Sequence, residues 1–179
     1  FHLDKRSGID LVGEEAPVLP KLKRNKEGLH AMVTASFGYA IEVSPLQTLM
    51  LYNAVANGGK MMKPYLVKSV LSSDLDTIEE ASPSQLSQAV EADDASALTR
   101  MMEAVVETGS GQAAQISGVS VAGKTGTAQH AQGRPPHAWF IGFAPADDPQ
   151  VAVAVMVEAS ETAREEIAGG TLGGPIAKA

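Results

Sequence analysis

The stretch Lys124-Thr125-Gly126-Thr127 brings together residue types that could act on an anionic substrate. The lysine supplies positive potential, the threonines supply hydroxyl donors, and the glycine leaves room for a ligand to approach the backbone. The preceding run, residues 119–122, alternates apolar and small residues, which predicts a strand that leads into the motif. A cation, two hydroxyls and a glycine on such a strand suggest acyl-transfer chemistry.

The same lysine completes a second pattern over residues 118–125, Gly-x-x-x-x-Gly-Lys-Thr, which matches the phosphate-binding loop of nucleotide hydrolases. That loop requires a hydrophobic strand before its first glycine and a helix after its Lys-Thr. Residues 113–117 make a weak strand, and residues that disfavour a helix follow the motif: Gly126, Gly133, Pro135 and Pro136. A nucleotide hydrolase therefore remains only a remote alternative.

The composition is that of a globular protein, with 179 residues of which 44% are hydrophobic and 20% charged. This length predicts one domain or part of one. The net charge of −7 arises largely between Ser69 and Thr99, a segment without Lys or Arg, and an acidic chain without a basic stripe disfavours nucleic-acid binding. The absence of cysteine excludes disulfides and thiolate metal sites.

The sequence shows neither a membrane-targeting signal nor a convincing set of metal ligands. There is no apolar run of about 18 residues and no signal peptide, so we expect no membrane contact from this chain itself. The chain opens on Phe1 without an initiator Met, and we expect it to be a fragment whose upstream part is missing. We interpret His130 and His137 as exposed or structural histidines, and we expect no metal and no cofactor.

Local patterns predict irregular structure at the start of the chain and two helices after it. Residues 1–35 are interpreted as an irregular connecting segment, because Gly and Pro residues, Gly28 among them, interrupt every helical or strand period. Ser44-Pro45-Leu46-Gln47 is typical of a capped helix start, so a helix is predicted from about Pro45 to Asn57. Apolar residues at helical spacing between Leu98 and Val106 predict another helix, which Asp93 or Asp94 could cap.

From Val119 onward the apolar residues recur with a period of two, which is typical of β-strands. Residues 119–157 are predicted to form three strands, of which the first carries the Lys-Thr-Gly-Thr motif. A short turn over 145–149 should make the last two strands antiparallel neighbours, and the apolar run from Val151 to Val157 implies a sheet covered on both faces. Pro175 should lie in the first turn of a closing helix.

The motif and the sequences around it resemble the penicillin-recognising serine enzymes, which combine Ser-x-x-Lys, a Ser-x-Asn type triplet and Lys-Thr-Gly. The resemblance is to high-molecular-mass penicillin-binding proteins, most like the class without a glycosyltransferase domain. It covers about Ser36 to Val157 and rests on residues 36–39, 43–47, 54–59, 63–67, 121–129 and 137–145. It implies an α+β fold in which helices cover both faces of an antiparallel sheet, with residues 1–179 as the C-terminal part of a single transpeptidase domain.

The resemblance implies a peptidoglycan D,D-transpeptidase that acts through a serine acyl-enzyme and is a target of β-lactams. Lys124 and Thr127 would be catalytic, with the Thr127 backbone N–H as one oxyanion-hole donor. Thr125 and Thr127 would bind the carboxylate of a D-Ala-D-Ala stem peptide or of a β-lactam. Gly126 would be glycine because a side chain would crowd the lysine and the ligand, while Gln129 and His130 would begin the loop that rims the cleft.

The sequence departs from the family pattern in one respect. No Ser is followed three residues later by Lys or two residues later by Asn, so the nucleophile must lie in an upstream part of the same domain. This chain would then supply the Lys-Thr-Gly-Thr wall, be inactive alone, and lie at the extracytoplasmic face of the bacterial membrane, anchored by a missing N-terminal segment. A non-catalytic β-lactam-sensing or peptide-binding domain of the same fold is the alternative.

Overall fold

The computed structural model describes residues 1–21, 24–129, 133–158 and 167–179. It divides into two compact units, one made of Phe1–Gln47 and Lys63–Ser84 and the other of Thr48–Met62 and Gln85–Ala179. Helices and antiparallel strands are both present, which confirms the predicted α+β class.

The first unit contains the helix α1 and one small antiparallel pair of strands. Helix α1 covers Lys26–Ala35, and strands β2 (Ser69–Leu71) and β3 (Thr77–Glu80) pair with each other. The prediction of irregular structure over residues 1–35 is therefore wrong for the last ten of them. Asn25 caps this helix by accepting a hydrogen bond of 2.9 Å from the Gly28 N–H, so Gly28 lies in the first turn and does not interrupt the helix.

Helix α2 covers Pro45–Ala56 and begins where the sequence predicts. The Gln47 N–H donates to Ser44 Oγ at 3.2 Å, and the Ser44 N–H donates to Gln47 Oε1 at 2.9 Å. These two bonds form a capping box, which satisfies N–H groups that the first turn of a helix leaves without partners. The helix ends before Gly58 and Gly59, both of which have positive φ.

The second unit is built around a three-stranded antiparallel sheet in the order β5-β6-β7. Strands β5 (Ala122–Ala128), β6 (His137–Ala144) and β7 (Val151–Glu158) confirm the three predicted strands, although the first begins three residues later than Val119. Val119 instead forms an isolated bridge with Ile116. A separate pair joins β1 (Lys60–Met62) to β4 (Gln85–Gln88).

Helix α3 covers Ala92–Glu107, and the short helix α4 covers Gly174–Lys178 with Pro175 in its first turn, as predicted. The predicted caps of α3 are wrong, because the N-cap residue is Glu91 and makes no side-chain cap bond. Asp93 and Asp94 lie in the first turn, where their negative charges interact favourably with the positive end of the helix dipole.

Two apolar clusters pack against the sheet from opposite faces. Phe143 packs with Val55 of α2 and Met102 of α3, whereas Phe140 packs with Val106 of α3 and Ala177 of α4. The two phenylalanines are three residues apart in β6 and therefore point to opposite faces. Apolar packing therefore holds the part of the sheet formed by β5 and β6 on both faces. This packing fixes the position of β5, the strand that carries the motif.

Candidate active site

Strand β5 carries the whole Lys-Thr-Gly-Thr motif at one edge of the three-stranded sheet. In the described part of the chain β5 pairs only with β6, so the backbone groups on its other side have no strand partner. The register sets Lys124 opposite Ile141 and Thr127 opposite Ala138. Since the strand continues past Lys124 and Thr125 with no helix, the nucleotide-hydrolase alternative is wrong.

The four residues of the motif alternate between the two faces of the sheet. Lys124 and Gly126 share one face, and Thr125 and Thr127 share the other. Lys124 and Thr127 are exposed, while Thr125 and Gly126 are half-buried. The Lys124 Nζ donates to the backbone carbonyl of Thr125 at 2.8 Å, so its ammonium group stays beside the strand edge.

The two hydroxyl groups at this edge have different surroundings. The Oγ1 of Thr125 lies 2.7 Å from the Oγ of Ser110, a residue in the turn that follows α3. Thr127 is exposed near the end of the strand. Together with Lys124 they give the edge one positive charge and two hydroxyl groups, a set suited to bind a carboxylate through charge-assisted hydrogen bonds.

Gly126 is surrounded by backbone and by the neighbouring strand. A Cβ at this position would lie 3.2 Å from the Cβ of Trp139, which is its cross-strand partner. Gly169 packs so closely that a Cβ on it would overlap the Trp139 carbonyl and lie 2.7 Å from the Gly126 carbonyl. The segment Gly169–Gly173, a turn of π-helix, therefore lies directly against the motif strand.

The other predicted site residues lie near the end of β5. Gln129 is exposed and follows directly after the strand, while His130 lies outside the described residues. His137 opens β6 opposite Ala128. Among the described residues no three His, Cys, Asp or Glu side chains come together as metal ligands would.

Two parts of this site were missed by sequence reasoning, namely Ser110 and the Gly169-Gly170 pair. A side chain on Gly170 would overlap the Ser110 carbonyl and contact the Thr125 methyl group at 3.6 Å. The signal in the sequence was weak, because Gly-Ser-Gly after a helix and a Gly-Gly pair predict only turns.

Comparison with known proteins agrees with this geometry. The family model described as the penicillin-binding protein transpeptidase domain matches residues 1–179. The peptidoglycan D,D-transpeptidase PbpA of Mycolicibacterium smegmatis is 44% identical over 142 residues, which are 78% of this chain and 28% of that protein. The stage V sporulation protein D of Bacillus subtilis is 34% identical over 182 residues, 98% of this chain and 28% of that protein.

Solved structures show the same relationship. A ceftriaxone acyl-enzyme complex of penicillin-binding protein A from Mycobacterium tuberculosis matches with a TM-score of 0.77 and 36% identity, over 88% of this chain and 36% of that one. Penicillin-binding protein 3 from the same organism, complexed with aztreonam, matches with a TM-score of 0.82 and 26% identity, over 98% of this chain and 41% of that one.

The chain spans about 28% of the length of the curated relatives reported above. The match nevertheless extends from the first residue to the last, and it includes the sheet edge that carries Lys124, Thr125 and Thr127. The chain belongs to the penicillin-binding protein transpeptidase domain family.

Proposed function

We propose that this chain is the carboxylate-binding wall of a serine D,D-transpeptidase that cross-links the stem peptides of peptidoglycan. The observation that carries the proposal is the edge strand β5, which places a lysine and two threonine hydroxyls on a sheet edge that pairs with no other strand of the described residues. The family match over residues 1–179 supports it, as do relatives named peptidoglycan D,D-transpeptidase. β-Lactams are the expected inhibitors, since related structures are described as β-lactam acyl-enzyme complexes.

Each residue of the wall has a proposed role in the acyl transfer. A serine on an upstream segment attacks the carbonyl of the penultimate D-Ala, the terminal D-Ala leaves, and an amine of a second peptide attacks the resulting ester. Lys124 supplies positive potential near the substrate carboxylate, and Thr125 and Thr127 donate hydrogen bonds to it. The N–H of Thr127 donates to the developing oxyanion, a type of contact that is worth ~2.7–4 kcal/mol in the transition state.

The remaining expectations concern the surroundings of this wall. Gln129 would line the rim of the cleft, and the Ser-x-x-Lys and Ser-x-Asn type motifs would come from the upstream part of the domain. Because peptidoglycan lies outside the cytoplasmic membrane, we place the domain on the extracytoplasmic side, with the anchor upstream. No helix of the described residues combines the length and the apolar character needed to span a bilayer.

Labelling with a penicillin tests this function in the full-length protein. We expect one covalent adduct, on a serine outside residues 1–179, located by mass spectrometry of its peptides. Lys124→Ala should lower the second-order rate of acylation by about tenfold or more, because a hydrogen bond to a charged group contributes about 1.5–3 kcal/mol. Lys178→Ala is the matched control, since Lys178 is also an exposed lysine but lies in α4, and it should react as the wild type does.

Several results would contradict the proposal. An adduct on Ser36, Ser44 or Ser120 would place the nucleophile within this chain and overturn the assignment. Equal rates for the Lys124→Ala and Lys178→Ala variants would remove Lys124 from the site. An adduct that forms while D-Ala-D-Ala peptides are neither cross-linked nor hydrolysed would instead support a β-lactam-sensing domain.

A further inference from the structure

Ser110 lies beside the motif strand although no sequence pattern connects the two. Its Oγ is 2.7 Å from the Oγ1 of Thr125, which is a short hydrogen bond between two hydroxyl groups that lie 15 residues apart. Either oxygen can be the donor. Ser110 has no part in the proposed chemistry described above, so this contact needs its own explanation.

The backbone around Ser110 is fixed from two sides. The Gly111 N–H donates to the Val105 carbonyl at 2.9 Å, and the Gly109 N–H donates to the Ala104 carbonyl at 3.1 Å, so the turn is tied to the end of α3. On the other side the backbone of Gly170 packs against the Ser110 carbonyl with no room for a side chain. The hydroxyl of Ser110 is therefore held near Thr125 by its backbone, even though its side chain is exposed.

The number of hydrogens decides which hydroxyl must donate when a carboxylate is bound. An ionised carboxylate has acceptors only, and a threonine hydroxyl has one hydrogen. If Thr125 donates that hydrogen to the carboxylate, the bond between Thr125 and Ser110 can persist only with Ser110 as the donor. The two bonds then run in one direction, from Ser110 to Thr125 to the anion, and such chains strengthen each member.

We propose that Ser110 is a positioning residue for carboxylate recognition, which orients the Thr125 hydroxyl toward the substrate and polarises it by donating a hydrogen bond to Thr125 Oγ1. This inference rests on the proposed function, because it requires a carboxylate at Thr125. It predicts that Ser110 matters for ligands with a free carboxylate and not for ligands in which that group is masked.

The test measures acylation rates of the full-length protein with benzylpenicillin and with its methyl ester. Ser110→Ala should lower the rate with benzylpenicillin by about three- to tenfold, the loss of roughly one neutral hydrogen bond, and leave the rate with the ester unchanged. Ser110→Thr keeps the hydroxyl and should react as the wild type does with both compounds. Ser117→Ala, an exposed serine outside this contact, is the matched control and should have no effect.

A double-mutant cycle separates this inference from the proposed function. In a Thr125→Val background, Ser110→Ala should have no further effect, because the group that Ser110 orients is gone. If Thr125→Val slows benzylpenicillin and Ser110→Ala does not, the role of Ser110 is overturned while the function stands. Equal slowing of both compounds by Ser110→Ala would mean a merely structural role and would also overturn it.

A second measurement tests whether Ser110 orients the Thr125 side chain, and it does so even if no variant is acylated. The side-chain torsion of Thr125 can be read from NMR couplings of its methyl group in the unliganded protein. A single rotamer in the wild type that becomes averaged in Ser110→Ala supports positioning. The same single rotamer in both proteins contradicts it, whatever the outcome of the labelling.

Discussion

At the scale of single residues, the site depends on which face of the strand each side chain takes. Consecutive residues alternate, so Lys124 and Thr125 approach the strand edge from opposite sides. The Lys124 ammonium bonds the Thr125 carbonyl, and the Thr125 hydroxyl bonds Ser110. The Lys124 ammonium group and the Thr125 hydroxyl are thus each held by a neighbouring group.

Gly126 illustrates how the structure adds a reason for the residue type at one position. The sequence suggested that a side chain would crowd the lysine and the ligand, and the structure adds that a Cβ would lie 3.2 Å from the Cβ of Trp139. Gly126→Ala should therefore lower the free energy of unfolding by about 1–3 kcal/mol, the usual cost of overpacking. Urea denaturation measures this change.

The contrasting result for Gly126→Ala is equally informative. If stability is unchanged while acylation by penicillin is slowed, the added methyl group interferes with the ligand and not with Trp139. Ala128→Gly at the end of the same strand serves as a control, because Ala128 is exposed and its substitution changes no packing around Trp139.

At the scale of elements, turns and terminal segments determine where the motif strand lies. The turn between β6 and β7 is tied back to the residues that precede β5, since Ser120 Oγ accepts from the Ala146 N–H at 2.9 Å and donates to Asp147 Oδ1 at 2.9 Å. The hydrogen bond from Ser120 is the main cause that lowers the pKa of Asp147, with backbone hydrogen bonds adding to it.

Ser120→Ala should raise the pKa of Asp147 toward its ordinary value, which NMR titration of the carboxyl carbon measures. A lowered pKa stabilises the fold above the ordinary carboxyl value of about 3.9, and that stabilisation is lost as the pH falls through the lowered value. The difference in the free energy of unfolding between wild type and Ser120→Ala should therefore become smaller as the pH falls below the ordinary carboxyl value. An unchanged Asp147 pKa in the variant would contradict this account, and Ser117→Ala is the control.

At the scale of the whole molecule, the chain carries the Lys-Thr-Gly-Thr motif that we propose as one wall of the site, and it contains no nucleophile motif. No serine here has the Ser-x-x-Lys spacing, and the chain covers about 28% of the curated relatives. Apolar side chains of the first unit are also more than half exposed, among them Leu29, Met32, Val33 and Phe37. Leu29, Met32 and Val33 follow helical spacing, so they share one exposed apolar face of α1.

Residues 1–179 produced alone should not be labelled by a fluorescent penicillin, while the full-length protein should be labelled. The physical reason is that the edge of β5, to which we assign substrate binding, carries no serine that could form the acyl bond. Gel fluorescence after denaturation measures this difference, with unlabelled penicillin as competitor. Specific labelling of the isolated chain would mean that one of its own serines is the nucleophile.

The sequence determined the local elements and the chemistry that they carry. The capping box of α2, the three strands and the closing Pro175 depend on hydrogen bonds and periodicity within a few residues, and all were predictable. Helix α1 was missed because Gly28 was interpreted as a breaker, although its N–H meets the Asn25 cap.

The tertiary structure alone decided what surrounds the motif. Ser110 reaches Thr125, and Gly169 reaches Gly126 and Trp139, only because the chain returns to the same strand after long excursions. Residue types at such positions predict turns and nothing more, since contacts between distant segments depend on the path of the backbone. Lys124, Thr125 and Thr127 were therefore predictable as candidates, whereas the distant segments that pack against their strand were not.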